Sequence, residues 1–270
     1  MKTNVRYILA IFLASAILAG VFPADLVAPF LTELRKADII VTVARHFLPG
    51  LRQLGFSQAT CIQNAVDVTR FAPHARDQRL ADELGIDASD IVVLHASQLR
   101  PIKRPLDIVH SARDVLGRNP HVLYVIVGEG ISLDEMRRAA DDQGVLNRFR
   151  FVPFVDNSRM PEVMNLADLV AMPSEREGLS RVYLEAQACA KTLLASDIAG
   201  AREVVTHAET GLLFRLGDVG DLAEKTLLGA GDPALRAAIG ARARQAVEAH
   251  HDIDKAVGQY MALLQLQCQR

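Results

Sequence analysis

Residues 173–203 read PSEREGLSRVYLEAQACAKTLLASDIAGARE, and this stretch decides how the chain folds around it. The apolar run in front of it, LVAM at 169–172, has the length of a buried strand, and Pro173 and Ser174 end that strand. Behind the loop, apolar residues recur along one side of a helix predicted over 181–190. A strand that leads through a short loop into a helix predicts an α/β fold.

The start of this helix is a candidate anion site. Ser180 is its natural N-cap, which leaves the backbone N–H groups of Arg181, Val182 and Tyr183 without partners inside the helix. Such a helix start favours negative charge, and the small Gly178 and Ser180 let a ligand approach the backbone closely. The pattern therefore indicates a phosphate-binding turn at the carboxyl end of a strand.

Two carboxylates flank this turn. Glu177 lies in the loop, where it can accept hydrogen bonds from sugar hydroxyls, and Glu185 lies just over one turn inside the helix, where it can hold a vicinal diol. For two isolated glutamates, the simpler interpretation is a dipole partner near the helix start and a solvated helix residue. The small residues between them favour binding of a polyhydroxylated, phosphorylated ligand.

The segment resembles the donor-site signature of retaining GT-B glycosyltransferases of the family 4 type, P-S-x-x-E-G-[FL]-G-x-x-x-[LI]-E-A-x-A-x-G. Ser180 and Ala190 stand where the family usually has glycine, and we interpret both small residues as tolerated. The resemblance implies that Glu177 is a catalytic residue that orients the donor sugar and that Glu185 binds the ribose. It also implies donor contacts from the turn, at Gly178, Leu179, Ser180, Arg181 and Val182.

The loop after the strand predicted over 91–97 supplies positive charge. Its sequence, QLRPIKRP at 98–105, resembles the family's G-R-L-x-x-x-K-[GR], whose arginine and lysine bind the diphosphate leaving group. Lys103 matches the lysine and is predicted to be catalytic. Gln98 stands in the arginine position and supplies hydrogen bonds without charge, whereas Arg100, two residues on, can point to the same side of an extended segment. A merely solvated basic loop is the alternative.

Two further turns complete the predicted donor site. Gly128 and Gly130 follow an apolar strand, but Leu133 occupies the third glycine position of a nicotinamide-binding G-x-G-x-x-G. The turn resembles instead the family's G-[DE]-G beside the nucleotide. Pro153 stands where the family often has glycine, in a loop whose backbone can contact a uracil or purine edge. Ser174 either lines the same pocket or simply ends its strand.

A last turn, DIAGARE at 197–203, resembles the family's D-x-G-G-x-x-E. We interpret Glu203 as a structural carboxylate at the start of a helix predicted over 201–205.

From residue 77 onward, short apolar runs alternate with amphipathic helical segments. This alternation predicts a doubly wound parallel sheet, Rossmann-like as in the C-terminal lobe of the family, whose ligands bind outside the carboxyl ends of the strands. The predicted strands are 91–97, 122–128, 149–151, 169–172, 192–196 and 211–214, and the predicted helices are 104–116, 133–143, 160–165, 181–190, 201–205, 219–228, 233–250 and 253–267.

The residues before 73 are predicted to be the end of an N-terminal lobe. A buried strand is predicted at 37–44 and a helix at 45–54, and TCIQNAVDVTRF at 60–71 resembles the interdomain segment of the family, with Ala65 in place of glycine. The chain then divides into a truncated acceptor lobe with its interdomain segment (1–72), a nucleotide-sugar-binding lobe (73–250) and a C-terminal helix that crosses back to the first lobe (251–270).

An uncharged apolar run, YILAIFLASAILAGVF at 7–22, needs its own interpretation. It is shorter than the roughly 20 residues that span a bilayer. Three interpretations are open: a signal peptide cleaved near 14–16, an anchor in peripheral contact with a membrane, or a buried helix of an N-terminal domain that begins upstream of Met1. We favour the third, because the following segments match the end of such a domain. A cytoplasmic location is therefore expected, with membrane association and a signal peptide as alternatives.

Composition argues against several classes of protein. The net charge is −2 and the basic residues form no long run, which argues against a general nucleic-acid binder. The eight histidines show no H-x-x-x-H or H-E-x-x-H spacing and the three cysteines no C-x-x-C. We therefore predict no protein-bound metal and no cofactor beyond a UDP- or GDP-sugar substrate.

Together these patterns predict the donor half of a glycosyltransferase that acts with retention of configuration. Because the acceptor site of the family lies in the first lobe, we expect the chain to be incomplete alone, with its N-terminal lobe encoded separately. A non-catalytic nucleotide-sugar-binding module or a subunit of a split enzyme is the alternative. An enzyme of another class on a similar fold, such as a sugar-nucleotide epimerase or a phosphorylase, is a third hypothesis.

Overall fold

The structure is a computed structural model that describes residues 7–9, 29 and 31–268. Its described strands form two sheets, and every named pairing within them is parallel. The strands are β1 (Tyr7–Leu9), β2 (Ile39–Thr42), β3 (Ala59–Cys61), β4 (Ile91–Ala96), β5 (Val122–Val127), β6 (Phe149–Val152), β7 (Leu169–Met172), β8 (Thr192–Ser196) and β9 (Leu212–Phe214).

Helices connect these strands, and several begin behind an aspartate. Asp77, Asp218 and Asp232 each occupy an N-cap position and accept a hydrogen bond from a backbone N–H of the first turn, which the helix itself leaves unpaired. The helices are α1 (Leu48–Gln53), α2 (Gln78–Glu83), α3 (Pro105–Arg118), α4 (Leu133–Asp142), α5 (Met160–Leu166), α6 (Arg181–Ala188), α7 (Ala199–Arg202), α8 (Val219–Gly231), α9 (Pro233–His250) and α10 (Ile253–Cys268).

The larger sheet has the strand order β6-β5-β4-β7-β8-β9. This order confirms the predicted doubly wound α/β architecture, and it places the reversal of strand order between β4 and β7. Ligands of such sheets bind in the crevice outside the carboxyl ends of the strands at this switch point. A ligand site is therefore expected at the loops that follow β4 and β7.

The larger sheet is buried on both faces. Along β4, Val92 and Leu94 belong to the core on one face, whereas Val93 belongs to the core on the other. All three side chains are at most 1% exposed. A parallel strand covered on both faces reads as a continuous apolar run, which is why the strands of this sheet were predictable from sequence.

The smaller sheet has the order β1-β2-β3 and packs onto the larger one. Ala44, Phe47 and Val66 join the same core as residues of the larger sheet. Val66 N–H donates to the His251 carbonyl at 2.9 Å, and Ile253 N–H donates to the Val66 carbonyl at 3.0 Å. The segment after β3 is thus hydrogen-bonded to the chain between α9 and α10.

Three sequence predictions need correction or limitation. The helix predicted over 201–205 lies instead at Ala199–Arg202, because it begins directly behind the extended Ile198. Residues 7–9 of the apolar run at 7–22 form a strand, so the buried-helix interpretation is wrong there, and 10–22 lie outside the described residues. The helix predicted over 45–54 is split into a 3-10 turn, Arg45–Phe47, and α1.

The predicted division at 72/73 and 250/251 stays a prediction. In the described ranges, no helix is both long and apolar enough to cross a bilayer.

Alanine substitutions at two helical glycines test how α9 packs against the loop after α6. A Cβ on Gly240 would lie 2.0 Å from the Ala190 carbonyl oxygen, whereas a Cβ on Gly117 would meet nothing within 4 Å. We expect Gly240→Ala to destabilise the fold by about 1–3 kcal/mol through overpacking. Gly117→Ala, the matched control, should be neutral or stabilising by up to about 1 kcal/mol, because alanine favours helix. Denaturant unfolding measures both; equal effects would contradict the packing assigned to Gly240.

Candidate functional site

An ion pair joins the two loops at the switch point. The Lys103 ammonium donates to Glu177 Oε1 at 2.6 Å, and Ser174 Oγ donates to the same oxygen at 2.8 Å. The Glu177 side chain is only 6% exposed, whereas that of Lys103 is 25% exposed. An ammonium carries three N–H donors, so Lys103 keeps two for a further acceptor. The arrangement is a fixed carboxylate beside a cation that faces the crevice.

Backbone and side-chain bonds hold these loops together. Glu175 N–H donates to the Ile102 carbonyl at 2.9 Å. Beneath them, His95 Nδ1 lies 2.8 Å from the Ala171 carbonyl and Nε2 lies 2.7 Å from Ser97 Oγ. Burial lowers the pKa of His95 to about 4, so the imidazole is neutral at pH 7. His95 therefore bridges β4 and the strand beside it without adding charge.

The turn after β5 must be built from glycine. Gly128 has φ 127° and Gly130 has φ 158°, conformations that side-chain-bearing residues rarely adopt. A Cβ on Gly128 would lie 1.9 Å from the Ser97 carbonyl oxygen, and one on Gly130 would lie 2.3 Å from that of Leu99. The two glycines let this turn lie directly against the loop that carries Lys103.

The start of α6 faces the same edge. Ser180 occupies the N-cap position with an extended backbone, as predicted, but its side chain makes no capping hydrogen bond. Arg181 is exposed and Val182 is half-buried. With no side-chain cap, the first N–H groups of α6 are available to an anion.

The loop in front of α6 is seated against the smaller sheet. Leu179 is buried, and its carbonyl accepts a hydrogen bond from Asn64 Nδ2 at 2.6 Å. A Cβ on Gly178 would lie 3.3 Å from Phe47, and one on Gly200 would lie 2.4 Å from the carbonyl oxygens of both Glu177 and Gly178. The position of Glu177 is thus fixed by close backbone packing from two directions.

Glu185 is not a solvated helix residue. It is 8% exposed, and among the described residues its carboxylate has no hydrogen bond or ion pair. Burial raises its pKa, and the charges of Arg181 and Arg70 only partly oppose that effect. A buried carboxylate without partners is costly unless something satisfies it. The structure does not join it to Glu177 by a hydrogen bond.

The remaining predicted residues lie at the exposed rim of these loops. Gln98, Arg100 and Pro153 are exposed, and in the part of the chain that the structure describes no hydrogen bond or ion pair is made by the side chains of the first two. Sequence reasoning missed two exposed apolar residues in the neighbouring loops, Ile131 (82% exposed) and Phe154 (74% exposed). Because β5 and β6 pair in parallel, both residues follow strands at the same edge of the sheet.

Glu203 has a different role from the one predicted. It lies at the end of α7, not at a helix start, and joins the smaller sheet to the larger one. Oε1 accepts from His46 N–H at 2.8 Å and lies 2.6 Å from His46 Nδ1; Oε2 accepts from Arg45 N–H at 2.9 Å and from Gln63 Nε2 at 2.7 Å. We call this four-donor arrangement the Glu203 clasp. Burial raises the pKa of Glu203, but these hydrogen bonds outweigh burial and lower it to about 2.

Over the residues that the structure describes, no group of three or more His, Cys, Asp and Glu side chains is arranged to hold a metal ion.

Comparison with known families gives one match over the larger sheet and its helices. Residues 77–246 match the family described as glycosyl transferases group 1. Lys103, Glu177, Glu185 and the glycine turn after β5 all lie inside the matched range.

Individual relatives extend this likeness. A GDP-mannose-dependent monoacylated alpha-(1-6)-phosphatidylinositol monomannoside mannosyltransferase of Corynebacterium glutamicum is 32% identical over 225 residues, which are 79% of this chain and 58% of that protein. HepE of Anabaena in complex with UDP-glucose is 25% identical with a TM-score of 0.79, over 85% of this chain and 64% of that one. The C-terminal domain of LpcC from Francisella tularensis shares the fold, at 24% identity and a TM-score of 0.64, over 70% of this chain and 99% of that domain. The chain thus spans less than two thirds of the mannosyltransferase that it matches.

The Glu203 clasp makes the free energy of unfolding depend on pH in the acid range. Because the folded pKa of about 2 lies below the ordinary 4.5, the clasp stabilises the fold fully above pH 4.5 and is lost as pH falls from 4.5 through 2. We expect Glu203→Gln to destabilise the protein by about 1–3 kcal/mol at pH 7 and to flatten this acid dependence. Urea unfolding between pH 2 and 7 measures both. The exposed Glu209→Gln is the control; a variant at Glu203 that behaved like it would refute the clasp.

Proposed function

The chain belongs to the glycosyl transferases group 1, and from that membership we propose that it binds a nucleoside diphosphate-sugar at the switch-point loops and serves transfer of the sugar with retention of configuration. The observation that carries the proposal is the Lys103–Glu177 ion pair, at 2.6 Å, beside the uncapped start of α6. It puts a cation, a carboxylate and free backbone donors at one edge of the sheet.

The cation and the helix start suit a diphosphate. Lys103 keeps two N–H donors after its bond to Glu177, and α6 offers backbone N–H groups without a side-chain cap. Both would stabilise the negative charge that develops on the departing diphosphate. Arg100, exposed and without a partner among the described residues, adds charge at the rim, and Gln98 adds hydrogen bonds. We propose no cofactor beyond the donor, because these groups supply the charge.

The two carboxylates suit the hydroxyls of the ligand. Glu177 accepts from Lys103 and Ser174 through Oε1, which leaves Oε2 for a sugar hydroxyl. Glu185, buried and without a partner in the described chain, would accept from the ribose diol and so be satisfied only in the complex. Glu177 is therefore proposed to orient the sugar at the reacting carbon and Glu185 to anchor the nucleoside.

The base would lie towards the rim formed by the loops after β5 and β6. Ile131 and Phe154 offer exposed apolar surface there, next to Pro153 and the glycine turn. A planar base can stack on such surface whether it is uracil or guanine, since every base has a π face. The relatives match this range of donors: one is named for GDP-mannose and HepE was solved with UDP-glucose. We propose a UDP- or GDP-sugar as donor.

A second candidate is binding without catalysis. The family match runs over 77–246, around the proposed donor site, and the chain spans 58% of the C. glutamicum mannosyltransferase. A non-catalytic nucleotide-sugar-binding module, or one subunit of a split enzyme whose N-terminal lobe is encoded separately, fits the same geometry.

Glu185 gives the sharpest test of nucleotide binding. We expect Glu185→Ala to weaken UDP or GDP binding by about 1–3 kcal/mol, the range for a lost charged hydrogen bond, which is roughly 5- to 150-fold in Kd. Isothermal titration calorimetry on the full chain measures it. Glu162→Ala, on the exposed side of α5, is the matched control and should bind like the parent chain. Unchanged affinity in Glu185→Ala would reject its ribose role.

Catalysis is tested by product analysis. The full chain is incubated with UDP- and GDP-sugars, and anomeric configuration in any product is read by NMR. Retention of the donor configuration supports the proposed reaction, and inversion contradicts it. Nucleotide binding without any product supports the non-catalytic module.

A further inference from the structure

A polar cavity lies outside the proposed donor site. Its volume is about 420 Å³, and it opens between the segment after β3, the clasp and the junction of α9 with α10. Neither Lys103 nor the two motif glutamates line it. The residues that line it include Arg45, Gln63, Glu203, His250, His251 and Lys255.

The fixed positive charges of this cavity come from two different elements of the fold. Arg45 belongs to the segment after β2, and in the described ranges its guanidinium has no hydrogen bond or ion pair. Lys255 belongs to α10 and donates to the carbonyls of Glu248, at 3.1 Å, and of Ala249 at the end of α9. One of its three N–H donors remains for another acceptor. Both side chains thus keep donors for another acceptor, and over the described residues neither forms an ion pair.

The acidic group on the wall, Glu203, keeps its charge but has no oxygen free to accept from the side chains of Arg45 or Lys255. Both oxygens of Glu203 are occupied by the four donors of the clasp. Burial lowers the pKa of His251, and the charges of His250 and Arg45 lower it further, so the fixed positive charges of the cavity are those of Arg45 and Lys255. An anion in this cavity would accept hydrogen bonds from Arg45 and from Lys255.

We propose that this cavity is a second ligand site, specific for a phosphate group, either free phosphate or the phosphate of a small metabolite. The guanidinium of Arg45 matches two phosphate oxygens at once, and the ammonium of Lys255, which lines the same cavity, offers a further donor. About 420 Å³ accommodates a phosphorylated sugar as well as the bare ion. Phosphate binding in this cavity does not depend on the function proposed for the donor site.

Binding there would stabilise the junction of the two sheets. Arg45 lies next to His46 in the clasp, and Lys255 lies next to the 251–253 segment that pairs with Val66. A phosphate bridging the two would tie the start of α10 to the smaller sheet. The clasp holds α7, whose Gly200 packs against the Glu177 loop, so occupancy would also stabilise the loop of the donor site.

The test is calorimetric titration of the full chain with inorganic phosphate at constant ionic strength set by chloride. We expect saturable binding, weakened by roughly tenfold or more in Arg45→Gln and in Lys255→Gln, since each loses a charged hydrogen bond. Arg79→Gln, whose side chain is 90% exposed, is the matched control and should bind normally. Normal melting of the variants without phosphate shows that they are folded.

A parallel series separates this site from the donor site and identifies the source of the phosphate. Lys103→Gln, which weakens the proposed donor site, should keep the phosphate binding that Arg45→Gln and Lys255→Gln weaken. Tighter binding of a hexose phosphate than of inorganic phosphate would identify a phosphorylated metabolite, and equal affinity would identify the free ion. No saturable binding to the parent chain, unchanged affinity in both cavity variants, or loss of binding in Lys103→Gln would overturn the proposal.

Discussion

The site geometry depends on the ion pair between Lys103 and Glu177, because it joins the two loops that leave the sheet where its strand order reverses. An ion pair with one partner nearly buried is costly to form unless further hydrogen bonds support it. Ser174 supplies one such bond, and His95 fixes the two strands below. The ion pair is thus preorganised, and the Lys103 ammonium still has N–H donors for a ligand.

That pair is held in turn by the packing between the sheets. The Glu177 backbone lies against Gly200, where any side chain would collide with it. Gly200 lies in α7, and α7 ends at Glu203, which holds Arg45 and His46 from the smaller sheet. The proposed donor site is therefore connected to the junction by packing contacts, and a change at the junction acts on the loop that carries Glu177, the proposed catalytic carboxylate.

Sequence reasoning found the elements of the larger sheet because a parallel sheet covered on both faces leaves continuous apolar runs. It also placed Lys103 and Glu177 at one edge, since both follow strands that end there. It could not find the Glu203 clasp, because Arg45 lies 158 residues away in sequence and contributes a backbone N–H, which has no sequence signature. The burial of Glu185 and the bridge made by His95 likewise depend on tertiary packing, which residue spacing does not report.

The most direct test of the account compares UDP and GDP with uridine and guanosine, titrated calorimetrically into the full chain and into Lys103→Gln. If the ammonium binds the diphosphate, the substitution weakens binding of the diphosphates by roughly tenfold or more and leaves binding of the nucleosides unchanged. Equal losses for nucleoside and diphosphate, or no loss for either, would contradict a diphosphate site at Lys103.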